Sequence, residues 1–268
     1  MNSERNAETD FNGASAAAFE DAARENGDVR LHPALGGVRA VLFDAGGTLV
    51  HPDWPRLARL AAEETGRPFA ADELERALKE GLRAVNLEMQ AGRQPSAEEQ
   101  RRGWVFRRMY ATLGLDEATC DSLSGLVDSA HAERHLWCGL DPAAPRVVSA
   151  LKRAGLRLAV ISNTEDGRLQ ELLELVEIAA HFDFMVDSYV VGLRKPDAAI
   201  FRMALERLGV EPHEAAYVGD SYAHDALAAQ AAGLRPVLLD PLDLHPESVC
   251  PRIRSLDELI SRSQESEA

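Results

Sequence analysis

Val41-Leu42-Phe43-Asp44-Ala45-Gly46-Gly47-Thr48-Leu49 is an apolar run that ends on a carboxylate and breaks at once into two glycines. A strand buried on both faces reads as such a run, and an acid at its carboxyl end stands at the mouth of an α/β sheet. With the first strand taken as residues 39–43, four more runs rich in Val, Leu and Ile follow at 156–162, 182–187, 215–219 and 235–239. Helical patterns separate them, including 142–154, 198–208 and 223–232, each closed by a glycine (Gly155, Gly209, Gly233). Alternation of this kind implies right-handed βαβ units and a doubly wound parallel sheet, an α/β fold.

Between the first and second strands lie about ninety residues, where a βα connection takes roughly 2–6. An inserted domain is required. It carries no strand signal and reads as all-α, with four helices at 54–65, 71–90, 97–113 and 117–136. Ser96 and Glu99 are spaced as a capping box for the third helix, and Asp116 is placed to cap the fourth. The expected division is a polar, mobile extension over 1–36 with one short helical pattern at 15–25, a Rossmann-like core over 37–52 and 139–268, and a helical cap over 53–138. Residues 265–268 read as a polar tail.

The chain of 268 residues has a formal net charge of −15, so its long-range field repels nucleic acid and anionic membranes. Neither is an expected partner. Cys120, Cys138 and Cys250 are odd in number and widely spaced, which suggests neither a disulfide framework nor a zinc knuckle. No apolar run approaches the ~20 residues of a membrane span, and no signal-peptide pattern opens the chain; a cytoplasmic protein is expected.

Four polar clusters fall at the carboxyl ends of predicted strands, and in an open α/β sheet those ends share one crevice. They are Asp44 with Thr48, Ser162-Asn163, Lys195-Pro196, and Gly219-Asp220-Ser221 with Asp225 one turn on. Taken singly, each has a plainer reading. Asp44 can form a turn with the glycines, Thr48 can close it, Ser162 and Asn163 can cap a helix, and an exposed loop lysine is usually a solvated charge. Pro196 looks like a first-turn helix residue that pins Lys195 at the sheet edge. His51 and His224 read as incidental, and the Trp54, Leu57, Leu60 and Trp104, Met109, Leu113 sets as bundle core.

In order and on the expected elements, the four clusters resemble the four motifs of the haloacid dehalogenase-like hydrolases, across residues 39–241, with the insert where that superfamily carries its first type of cap. The resemblance implies a phosphatase acting on a small phosphorylated molecule. Asp44 is then the nucleophile that forms an aspartyl-phosphate, later attacked by water. Asp44, Asp220 and the backbone carbonyl of Gly46 bind Mg²⁺, and Asp225 holds a metal-bound water or Ser221 from behind. Lys195 neutralises nucleophile and phosphoryl group, while Thr48, Ser162 and Asn163 bind phosphate oxygens, helped by a helix starting near Thr164 or Asp166. Two carboxylates ~4 Å apart repel by roughly 4 kcal/mol at an effective dielectric of 20, so the acids themselves imply a cation.

One expected part is missing. The usual motif is Asp-x-Asp-Gly-Thr, and its second Asp, which protonates the leaving oxygen and activates water, is Gly46 in this chain. Loss of a general acid–base costs about 10²–10⁴-fold, or about 3–5 kcal/mol of barrier. Three readings follow. The protein is a Mg²⁺-dependent hydrolase with a substitute acid such as His51, Glu165 or a cap residue, or with good leaving groups such as acyl and aryl phosphates. Alternatively it is a metal-free dehalogenase in which Asp44 displaces halide, although those relatives lose the acid that Asp220 retains. In the third reading it is a non-catalytic binding or regulatory module.

Overall fold

The computed structural model describes residues 29–93 and 103–262. In chain order these form β1 (Val29–Leu31), β2 (Ala40–Phe43), β3 (Val50–His51), α1 (Trp54–Thr65), α2 (Ala71–Gln90), α3 (Trp104–Thr112), α4 (Glu117–Glu133), β4 (Gly139–Leu140), α5 (Ala144–Arg153) and β5 (Arg157–Ser162). There follow α6 (Leu169–Leu175), β6 (Phe184–Asp187), α7 (Ser188–Val191), α8 (Ala198–Leu208), β7 (Ala215–Gly219), a π-helical turn (Tyr222–Leu227), α9 (Ala228–Ala231), β8 (Arg235–Leu239), β9 (Arg252–Ile253) and β10 (Ile260–Arg262).

The main sheet has six parallel strands in the order β6-β5-β2-β7-β8-β9. From β2 the chain winds outward one way through β5 and β6, then returns to the other side of β2 for β7, β8 and β9. The strand order therefore reverses at β2, and a crevice opens beyond the carboxyl ends of β2, β5 and β7. Alternate residues of each central strand feed two cores. Val41, Phe43, Leu158, Val160, Ala216 and Val218 pack on one side, while Ala40, Leu42, Ala159, Ile161, Ala215 and Tyr217 pack on the other. Burial on both faces is why these strands read as continuous apolar runs.

The insert has its own core, with Leu57, Leu74, Met109, Tyr110 and Leu123 fully enclosed. Helices α1 and α2 have the bounds expected from sequence, and Asp116 caps α4 by accepting the Thr119 amide at 3.0 Å. Of the third expected helix, Trp104–Thr112 is helical; its start and the Ser96–Glu99 box lie outside the described residues, as do the 15–25 pattern and the 265–268 tail. A two-stranded ribbon of β3 and β4, pairing Val50 with Leu140, ties the points where the insert leaves and rejoins the core.

Several local expectations give way. Val29–Leu31 pairs antiparallel with Ile260–Arg262, and Leu35 is 1% exposed, so part of the stretch read as a mobile arm is built into the core. Helix α4 stops at Glu133, and the next residues turn inward. The helix expected from Thr164 or Asp166 begins only at Leu169, because Thr164, Asp166 and Asp187 spend their hydrogen bonds on cross-links instead. Pro196 does not open a helix: α8 starts at Ala198 with Asp197 as its cap.

Candidate active site

Asp44 leaves the end of β2, and its backbone amide is held by the Val218 carbonyl of β7 at 2.9 Å. Lys195 meets it from the loop before α8. The lysine is 3% exposed, and its three ammonium protons find three acceptors: Asp44 Oδ1 at 2.6 Å, Asp225 Oδ1 at 2.6 Å and the Tyr217 hydroxyl at 2.9 Å. Tyr217 is free to accept because its own proton goes to the Ile161 carbonyl at 3.0 Å.

What pins Lys195 is Asn163. Its side-chain carbonyl accepts the Lys195 amide at 2.9 Å, and its side-chain amide donates to the Lys195 carbonyl at 2.9 Å. Asn163 thus spends both ends on the lysine backbone, whereas Ser162 is buried on the cavity wall.

Asp225 sits in the π-helical turn, where its second oxygen accepts the Ser221 amide at 2.9 Å. The close approach requires glycine nearby: a Cβ on Gly219 would lie 2.4 Å from Asp225 Cγ, and one on Gly47 (φ +87°) would lie 2.2 Å from Asp220 Oδ2. Asp44, Asp220 and Asp225 can each bring an oxygen within 4.8 Å of the others. Burial raises the Asp44 carboxyl to about 6 against the pull of Lys195, with Asp225 adding to the rise. Asp220 rises to about 7 through burial and the charges of Asp44 and Asp225, against the pull of Lys79. Burial works to lower Lys195, but Asp225 and Asp44 outweigh it and hold the ammonium above its usual value.

Gly46 lies in a bridge to Val50 that uses the Ala45 carbonyl and the Gly47 amide, which leaves the Gly46 carbonyl out of the ladder. The space its side chain would need is taken. A Cβ there would come within 3.2 Å of Trp137 Cζ3 and 3.3 Å of Cε3, so an indole from the inward turn after α4 covers position 46. Thr48 does not reach the cavity; it is fully buried, and its hydroxyl has no hydrogen-bond partner among the described residues.

The cavity over Asp44 has a volume of about 230 Å³ and is closed from above by the insert. Asn86 of α2 reaches down to accept the Ser221 hydroxyl at 2.9 Å and the Ala223 amide at 3.2 Å. Asn86, Trp137, His131, His135 and Tyr217 were not singled out from sequence. Asn86 left a trace, as a polar residue in the buried stripe Leu74, Ala77, Leu78, Gly81, Val85. Of the suggested substitute acids, His51 is turned away to Asp141 at 3.3 Å, while Glu165 lines the cavity and accepts the Gly103 amide at 3.0 Å. His224 also lines it, with its pKa lowered to about 4 by burial.

Among relatives, haloacid dehalogenase-like hydrolase domain-containing protein 3 of Xenopus laevis is 36% identical over 138 residues, 51% of this chain and 56% of the relative. Phosphoglycolate phosphatase 1 of Pseudomonas aeruginosa is 30% identical over 200 residues, 74% of this chain and 67% of the relative. The chain spans about half the length of the domain-containing protein 3 relatives it matches, 56% in Xenopus laevis and 49% in Mus musculus. In fold it is similar to the HAD-hydrolase YfnB of Bacillus subtilis, solved bound to magnesium, with a TM-score of 0.60 and 22% identity over 83% of this chain and 96% of that one. Residues 38–233, which carry all four clusters, match the model of one family, and the chain belongs to it: the haloacid dehalogenase-like hydrolases.

Proposed function

We propose that the protein is a Mg²⁺-dependent phosphohydrolase that acts on a small phosphorylated molecule through an aspartyl-phosphate on Asp44. The observation that carries this reading is the buried Lys195, shared at 2.6 Å between Asp44 and Asp225 with Asp220 alongside. In this assignment residues 53–138 act as the cap over a core of 37–52 and 139–268.

The donor set suits Mg²⁺. Asp44, Asp220 and the Gly46 carbonyl offer only oxygen, as a hard cation prefers, and the raised carboxyls of Asp44 and Asp220 are the signature of clustered acids short of positive charge. Asp225 is spent on Lys195 and Ser221, which leaves it to position those two rather than to bind metal. Bound magnesium supplies charge neutralisation at the carboxylates and at the phosphoryl oxygens.

Asp44 attacks phosphorus in line, and the bond to the leaving oxygen breaks as the Asp44–phosphorus bond forms. Lys195 holds the attacking carboxylate and stabilises the negative charge gathering around it. Position 46 contributes no proton to the departing oxygen, so acyl and aryl phosphates, whose leaving groups need little protonation, are the best substrates. A phosphatase among its relatives supports phosphate-ester hydrolysis as the reaction within the family.

Phosphate release from a panel of acyl, aryl and alkyl phosphates, with and without Mg²⁺, tests the reading. It requires Mg²⁺-dependent turnover that Asp44→Asn abolishes. Halide release from a 2-haloacid without Mg²⁺ would establish the dehalogenase in its place.

A further inference from the structure

His135 follows α4 in the turn that brings Trp137 over Gly46. It is 7% exposed and lies on the cavity wall. Its Nδ1 accepts the Trp137 amide at 3.2 Å, so the proton of the neutral ring sits on Nε2. Burial, with help from His131 and Arg168, lowers the ring to about 4 against the opposing charges of Asp166 and Glu171, and the imidazole is uncharged at neutral pH. Nε2 has no hydrogen-bond partner among the described residues. An N–H on a cavity wall with no protein acceptor is open to a bound group that can accept it.

The neighbouring groups define what that acceptor is. His131 and Asp166 approach His135 closely enough to suggest a metal centre, with one ligand atom from each within 4.8 Å of the others. The hydrogen bonds argue otherwise. His131 Nδ1 accepts the Leu136 amide at 3.2 Å, and its Nε2 bonds Asp166 Oδ2 at 2.8 Å. Both rings therefore keep their proton on Nε2, the atom whose lone pair a metal would need. Although burial works to raise it, Asp166 is brought down to about 2 by the bond from His131 and the Arg168 amide, so a full negative charge stands beside His135. Asp128 and Glu165 line the same cavity. Arg194 and Lys195 line it as well, so it is beside His135, next to Asp166, that an anionic group is disfavoured and a carbonyl or hydroxyl oxygen is not.

Much of the remaining wall is apolar, including Val105, Phe106, Val127, Trp137, Leu169 and Leu172. A cavity of roughly 150 Å³ lined by such residues accommodates benzene, and this one has about 230 Å³. We propose that His135 selects the substrate: its Nε2–H donates to one uncharged oxygen on a leaving group that is otherwise apolar and of aryl size. The proposal rests on the phosphohydrolase reading for the identity of the reaction. It disfavours leaving groups that place a carboxylate at His135, as a phosphatase of phosphoglycolate would have to accept.

The test begins with long-range ¹H–¹⁵N spectra of the histidine rings in the full chain. His135 is expected as the neutral Nε2–H tautomer from pH 6 to 8, and 3-hydroxyacetophenone is expected to shift its Nε2–H signal while 3-chlorophenol does not. An Nδ1–H tautomer, a charged ring at pH 7, or stoichiometric Zn²⁺ moving both ring signals overturns the proposal. Turnover of 3-acetylphenyl phosphate against 3-chlorophenyl phosphate, a pair close in leaving-group basicity, adds the functional readout. His135→Phe is expected to lower kcat/KM about 10-fold on the acetyl ester alone, and His135→Gln, which keeps a donor, to restore it to within about threefold. Equal rates for wild type and His135→Phe on both esters sink the role of His135 and leave the phosphohydrolase intact. If no ester is turned over, the phosphohydrolase reading fails, and the ligand-induced shift still decides the donor.

Discussion

Restoring the carboxylate that position 46 lacks should fail in this chain unless Trp137 is removed as well. A Cβ on Gly46 meets three indole carbons at 3.2, 3.3 and 3.6 Å, so even alanine there requires the ring to yield by a few tenths of an ångström. An aspartate adds a carboxylate beyond that Cβ, where the indole limits the rotamers open to it. The ring is braced by Phe106, at a centroid distance of 5.8 Å. Overpacking of this kind costs about 1–3 kcal/mol. Gly46→Asp alone is therefore expected to destabilise the protein by that amount and to change alkyl-phosphate turnover by less than about threefold, because its carboxyl is pushed off the line to the leaving oxygen.

Gly46→Asp combined with Trp137→Ala removes the obstruction. If the carboxyl then reaches the leaving oxygen, the recovered general acid is worth ~10²-fold or more, about 3 kcal/mol, on alkyl phosphates. Aryl and acyl phosphates should gain little, so the dependence of kcat/KM on leaving-group basicity flattens. The assay is phosphate release across a graded series of esters for wild type, both single variants and the double variant, each shown folded by its melting transition. A 10²-fold gain from Gly46→Asp alone would refute the reasoning, since it would mean that the indole does not hold the acid's place. So would a folded double variant with the wild-type dependence.

Thr48→Val removes a buried hydroxyl without a partner and should leave stability within ~1 kcal/mol of wild type or slightly above it in urea melts, with turnover unchanged; a 10-fold fall in activity would place Thr48 on the substrate. Because Asp44 and Asp220 are raised to about 6 and 7, their ionisation opposes folding of the metal-free chain, and stability is lost as pH rises from about 4 through those values. The rise in melting temperature on adding Mg²⁺ should accordingly be larger at pH 8 than at pH 5.5, and an equal or reversed gain would count against the metal site. Asn163→Ala unfastens the Lys195 backbone and should lower kcat about 10-fold with little change in KM, whereas a group that binds substrate directly would raise KM. Asn86→Leu breaks both bonds from the insert to the turn at Ser221 and should cost about 1–3 kcal/mol in thermal or chemical melts, with no loss expected if the insert is held only by its apolar contacts.

The residues legible in the sequence are those whose position follows from one strand end. Asp44, Ser162 and Asp220 each stand where an apolar run stops, and a parallel sheet then brings such stops together without further information. Lys195 was legible by motif, but its anchor was not. Pro196 looked sufficient, and only the packing of two loops shows Asn163 holding the lysine at both backbone atoms. The two- and three-residue strands β1, β3, β4, β9 and β10 are too short to show a period of two; they form because residues 29–31 and 260–262, and the insert's roots, lie side by side, and because β9 adds to the edge at β8. The π-helical turn escaped because 223–232 has an ordinary helical pattern; the extra residue there accompanies an Asp225 that faces both Lys195 and the Ser221 amide.

The indole over Gly46 is the least local feature of all, because it depends on how the insert docks. That docking gives the missing acid a physical meaning. In the proposed mechanism the core supplies everything tied to charge: Asp44 as nucleophile, the Lys195 ammonium and the acid cluster. The insert supplies Trp137 in the place of the acid and, two residues before it, His135 with an unspent donor. One inward turn thus removes the means to expel a basic alkoxide and installs the means to recognise an oxygen on an apolar leaving group. The two changes reinforce each other. An enzyme without a proton donor at position 46 gains most by choosing substrates that do not need one, and an aryl-sized, uncharged, acceptor-bearing group is both what this cavity is proposed to accommodate and a class rich in good leaving groups. A side chain at 46 and an indole at 137 crowd one another, so an acid at the first position is expected to go with a smaller or differently turned residue at the second.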